Sequence, residues 1–149
     1  MMKFSIKIDG DFVSSDSNSS LETIRIIGTL ENLSTNPVGI IYSNFGHEHN
    51  LRSKENYNLS NKLTDCIKSE IDIIICQSIP LKLVIEPQSS FDFSACYKLS
   101  PNEDSLQLNY KLDLVSIKGD LYKTQFRPYA RAMLKSNKIV VSDIINKLK

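Results

Sequence analysis

Apolar side chains fall at every second position in five separate stretches of the chain. Phe4, Ile6 and Ile8 alternate with Lys3, Ser5 and Lys7, and Ile24, Ile26, Gly28 and Leu30 alternate with Arg25, Ile27, Thr29 and Glu31. The same alternation runs through Leu81–Ile85, Phe91–Leu99 and Leu106–Leu114. A strand places successive side chains on opposite faces, so each stretch presents one apolar and one polar face. A helix would scatter the same residues around its circumference. The pattern therefore demands sheets with one buried and one wet face.

Turn chemistry separates these runs. Asn32–Pro37 (NLSTNP) ends one strand and Val38–Tyr42 resumes; Glu86–Ser90, Ser100–Ser105 and Lys118–Asp120 punctuate others. With the short apolar run Ile71–Cys76, the count is seven or eight strands, the pattern of a two-sheet antiparallel β-sandwich. Gly28 falls on the apolar phase, where a bulky neighbour is expected to come close. Asp11–Ser20 and Ser43–Asp65 are polar and read as loops. The end of the chain, residues 141–149, is predicted as a short helix: Ser142 caps it, Asp143 suits its positive end, and Lys147 and Lys149 its negative end. At 149 residues the whole chain, 1–149, reads as one domain, long enough to bury roughly 70% of its unfolded surface.

The stretch Gly28–Val38 (GTLENLSTNPV) resembles the B–C region of bacterial immunoglobulin-like and fibronectin-III-like domains. Glu86–Tyr97 (EPQSSFDFSACY) resembles their Pro-turn and alternating aromatic strand, and Lys118–Phe126 (KGDLYKTQF) their final hairpin. The antibody-type Cys…Trp…Cys signature is missing, since the chain has no Trp. The resemblance implies an immunoglobulin-like sandwich used for binding and carries over no catalytic residues.

Charges at Lys3, Lys7, Asp9 and Asp11 interrupt any apolar stretch in the N-terminal MMKFSIKIDGDF, so no secretion signal is read there. Ile73–Cys76 is the longest uninterrupted apolar run, too short for a membrane span. The three cysteines, Cys66, Cys76 and Cys96, form no C-x-x-C pair and are odd in number. The expectation is reduced thiols in a cytoplasmic protein. Net charge is only +1 but unevenly spread: residues 1–104 carry −5 and residues 105–149 carry +6. Such a chain is less basic than a general nucleic-acid binder, yet it can present one basic face.

No phosphate-binding loop, dinucleotide fingerprint, nucleophile elbow or zinc-protease helix motif occurs. The sharpest local feature is Gly46–His49 (GHEH). On a strand, His47 and His49 would share one side and could share a metal, with Asp65, Glu48 or Cys66 as third ligand. The second feature is a basic row: Lys123, Arg127, Arg131 and Lys135 recur every four residues, with Tyr129 among them. That spacing keeps them on one face in strand or helix. They suit docking of an acidic protein or a phosphate backbone, while Pro128 suits an edge strand.

These features together predict a non-catalytic interaction module with no cofactor. Its expected partner is a protein, probed most naturally as an acidic one, taken through an edge strand, the 43–65 loop or the basic row 123–135. The same edge strand offers a route to homo-oligomers. A small metal-dependent enzyme built on His47 and His49 is the alternative, and nucleic-acid binding by the basic row is the third reading.

Overall fold

A computed structural model describes residues 1–15, 22–43, 46–53, 57–58, 63–64, 80–99, 104–118, 127–140 and 142. Twelve strands lie among them: β1 (Met2–Ser15), β2 (Glu22–Asn32), β3 (Val38–Ser43), β4 (Leu51–Ser53), β5 (Tyr57–Asn58), β6 (Leu63–Thr64), β7 (Pro80–Ile85), β8 (Ser90–Leu99), β9 (Ser105–Leu106), β10 (Leu108–Val115), β11 (Ala130–Lys135) and β12 (Ile139–Val140). One 3-10 turn, His47–Asn50, precedes β4. Every described pairing is antiparallel. The first sheet has the order β1-β2-β8-β6, and the second runs β5-β4-β10-β3-β7. β11 pairs with the opposite edge of β10, and β9 pairs with β12 as a separate ribbon.

The ladders carry the sequence alternation directly into layers. Phe4 pairs with Leu30, Leu30 with Phe91, and Ile24 with Tyr97, so the apolar phase of three strands lies on one face. In the second sheet Ile40, Leu51, Leu108, Tyr110 and Leu112 are buried in the same way, and residues of both sheets join one core cluster. Gly28 faces this core opposite Ile6 and Phe93. A Cβ there would run into Phe93 Cζ, so the missing side chain makes room for the ring.

Asn32 explains the turn that follows β2. Its buried amide donates to Asn36 O and Ile85 O, and its oxygen accepts from Ser34 N and Ser34 Oγ. That uses both donors and both lone pairs. Gln88 (φ 59°) turns the chain at the Pro-turn and donates its backbone N–H to Asn32 O, fastening the two turns together.

Several expectations change. The segment 43–65 is not simply a loop: it holds the 3-10 turn and β4, β5 and β6, and Leu51 is 1% exposed. Strands of two or three residues are too short to show a period. β1 continues to Ser15 rather than yielding to a loop at Asp11, with a register shift between Asp9 and Val13. The strand count exceeds seven or eight because five strands are only two or three residues long. All but Ser142 of the helix expected over 141–149, the apolar run Ile71–Cys76 and most of the hairpin at Lys118–Phe126 lie outside the described residues. Cys96 sits on the outward phase of β8 yet is 1% exposed and disulfide-bonded, which overturns the reduced-thiol expectation for it. Stable disulfides belong to oxidising compartments, so the thiols no longer argue for a cytoplasmic location. Among the described residues no helix is long and apolar enough to cross a membrane.

Candidate functional site

Register assembles a basic surface on the outer face of the second sheet. Along β10, Tyr110 and Leu112 point inward, so Asn109, Lys111 and Asp113 point outward. Arg131, Met133 and Lys135 on β11 stand opposite Asp113, Lys111 and Asn109, and Arg52 on β4 stands opposite Asn109. Lys82 on β7 joins the same face through its pairing with Ile41. Asp113 is buried beside two of these cations: Arg131 Nε lies 3.3 Å from its Oδ1 and Lys111 Nζ 3.6 Å from its Oδ2. Arg131 is 73% exposed in its side chain, so its ion pair adds only about 0–1 kcal/mol and leaves the guanidinium available.

β11 also offers backbone. Ser136 N donates to Leu108 O, which sets the hydrogen-bonded phase of the ladder. Ala130, Ala132 and Leu134 then face β10, and the N–H and C=O groups of Arg131, Met133 and Lys135 point the other way. Among the described residues no strand pairs with that edge. Just beyond β11, Asn137 clasps β1 by accepting from Ile6 N (2.8 Å) and donating to Ile6 O (3.1 Å), which fixes the end of β11 against the first sheet.

Of the predicted row, Arg131 and Lys135 share this outer face. Arg127 and Tyr129 are exposed but precede β11 rather than continue its face, and Tyr129 is 70% exposed. Lys123 lies outside the described residues. Arg52, Lys82 and Lys111 were not singled out by the sequence pattern, because each lies on a different strand and only register brings them together.

His47 and His49 take different environments. In a 3-10 turn, with three residues per turn, positions two apart point to different sides. His47 is 3% exposed and its ring stacks on Tyr42 (4.6 Å) and Phe93 (4.5 Å), with Phe91 and Tyr110 tilted against it. Its Nδ1 is hydrogen-bonded to the Tyr110 hydroxyl, and its Nε2 has no hydrogen-bond partner. Burial pushes the imidazole down to about 4. Burial, then the Asp113 charge and Tyr42, pushes the Tyr110 phenol well above its usual range. Both groups are therefore neutral at pH 7, as their burial in the core requires.

His49 is exposed and lines an open cleft of about 270 Å³ on the outer face, with Ser43, Asn50, Arg52, Lys111 and Asp113 around it. Partial burial, then the Arg52 and Lys111 charges, holds its imidazole below the usual range. Arg52 Nη1 donates to His49 O (2.6 Å) and Leu51 O (2.7 Å), which fixes the guanidinium at the rim. Asn50 forms the cleft's base, donating to Ile41 O and Lys111 O. Among the described residues no three His, Cys, Asp or Glu side chains gather as metal ligands. Asp65 and Cys66 lie outside those residues. No family model, no curated protein and no solved structure matches the chain.

Proposed function

We propose that this chain is a non-catalytic interaction module, an immunoglobulin-like β-sandwich that docks an acidic protein segment against the outer face of its second sheet. One observation carries the reading: Arg52, Lys82, Lys111, Arg131 and Lys135 fall from four strands on one outer face, Lys111 and Arg131 beside the buried Asp113, and next to an edge whose backbone groups point outward. Five cations near one paired carboxylate make a surface that attracts negative charge. The open groups of Arg131, Met133 and Lys135 suit pairing with an extended segment. Residues of that segment opposite Arg131 and Lys135 would place their side chains on the basic face. The sandwich reading rests on two antiparallel sheets sharing one core and on the motifs at Gly28–Val38 and Glu86–Tyr97.

The test uses an extended peptide in which Glu alternates with apolar residues, compared with its Gln counterpart and with a single-stranded oligonucleotide. The Glu peptide should bind, and binding should weaken with salt. Lys135→Glu combined with Arg131→Gln should reduce it strongly; Gln at 131 avoids setting a second carboxylate beside Asp113. Equal binding of the Gln peptide, or preference for the oligonucleotide, would overturn the reading.

A further inference from the structure

We propose that the cleft beside the 3-10 turn is an anion site that takes one tetrahedral oxyanion, a phosphoryl or sulfate group, on Arg52, Lys111 and His49. It rests on the docking-face reading only for where that anion comes from.

Three observations converge. The first is shape: the outer face is otherwise a sheet surface, and the cleft of about 270 Å³ is a concavity within it. The second is donor geometry. Arg52 is held by two backbone carbonyls through one nitrogen, which leaves its other N–H groups directed by a fixed plane rather than a free side chain. Lys111 reaches the same space from β10, where Asp113 holds its ammonium at 3.6 Å. The third is charge. Arg52 and Lys111 both act on His49, so these two cations, and the imidazole once it is protonated, are close enough to repel one another. An oxyanion between them removes that repulsion and accepts charge-assisted hydrogen bonds from each. Asp113 also lines the cleft, and Arg131, which lies outside the lining, stands 3.3 Å from its Oδ1 and offsets its charge.

His49 makes the site pH-dependent. Among the described residues, the charged or titratable groups around it include Arg52 on β4, Lys111 and Asp113 on β10, and Tyr42 on β3. Protonation of the imidazole adds a cation and a donor, so affinity rises as the solution becomes more acidic. By linkage, the bound anion raises the affinity of His49 for its proton.

The experiment titrates sulfate, which keeps its charge from neutral to mildly acid pH, at constant ionic strength set with chloride. The His49 ring resonances are read by NMR on the whole chain. Sulfate should give a saturable shift, tighter at acid than at neutral pH. Arg52→Gln and Lys111→Gln should each weaken it about tenfold, the loss of one charge-assisted hydrogen bond. Lys135→Gln, outside the cleft, should leave it unchanged, and His49→Gln, followed through backbone amides, should abolish the pH dependence. Shifts that follow ionic strength rather than sulfate overturn the proposal, as does Lys135→Gln weakening binding as much as Arg52→Gln. Backbone spectra confirm that each variant is folded. A phosphoserine peptide, its unphosphorylated form and inorganic phosphate then fix the source. Tighter binding of the phosphopeptide than of phosphate assigns the anion to a partner chain; equal or weaker binding assigns a free ion. Loss of sulfate binding leaves Glu-peptide docking at Lys135 standing, and loss of that docking leaves sulfate binding standing, so the two readings fail separately.

Discussion

His47 and His49 are two residues apart, yet they belong to opposite environments of the second sheet. His47 enters a box of aromatic rings and stays neutral because burial disfavours its charged form. His49 opens onto a cleft rimmed by cations, where partial burial is joined by charge repulsion. One side of the sheet is governed by packing, the other by electrostatics in water. A pH change or a mutation should therefore read out as stability on the inner side and as binding on the outer side.

Cys96 is the exception that tests this division first. It lies on an outward phase of the first sheet and is nonetheless buried and disulfide-bonded. Its bond should stabilise the fold by about 3 kcal/mol through restriction of the unfolded chain. Thermal unfolding with and without reductant measures this. A Tm unchanged by reduction would mean that the outward phase of β8 is as dispensable as the outer face of the second sheet.

The next largest effect is pH-dependent and belongs to His47. Its folded value of about 4 lies below the ordinary imidazole value of 6.5. Between those two pH values the unfolded chain binds a proton that the folded chain excludes. Stability is therefore complete above pH 6.5 and falls as pH drops toward about 4, by up to about 3 kcal/mol. The double variant His47→Phe/Tyr110→Phe removes the imidazole without leaving its hydroxyl partner unpaired. Its unfolding free energy should lose most of this slope, whatever its absolute value. A slope equal to that of the wild type would move the titration elsewhere and break the comparison.

Gly28 supports the same box from behind. Its absent Cβ leaves room for Phe93, which stacks on His47 and Phe4. Gly28→Ala should cost about 2 kcal/mol, the usual scale for overpacking a core, and should disturb the His47 ring resonances. An alanine that is accommodated at no cost would show that the Phe93 ring moves freely, and that the inner side is less tightly packed than its rings indicate.

How much of this was legible in the residues follows from how each feature is encoded. Phe4–Ile8, Ile24–Leu30 and Phe91–Leu99 show the sheet because a period of two repeats along one strand. Gly28 was readable as a place of close approach because it interrupts an apolar phase. Leu51 was not, since β4 has three residues and no period to read. The basic row was visible in part: Arg131 and Lys135 lie on one strand, whereas Arg52, Lys82 and Lys111 reach the same face by pairing between strands distant in sequence. Cys96 was misread because alternation tells which way a side chain points and not what covers it. For His47 and His49 the strand premise placed both rings on one side, and a 3-10 turn separates them.

The smallest expected effect is the sharpest check on the comparison. His49→Gln removes an exposed imidazole that is uncharged at pH 7, so little packing and no charge are lost. The change in unfolding free energy at pH 7 should stay within about 0.5 kcal/mol, as for surface substitutions away from special features. The steep loss of stability between pH 6.5 and about 4 should persist in this variant, because it belongs to His47. Denaturant unfolding at several pH values, run beside His47→Phe/Tyr110→Phe, separates the two histidines. If His49→Gln flattened the pH profile and the double variant did not, the acid sensitivity would lie in the cleft, and the outer side of the sheet would be the one that governs stability.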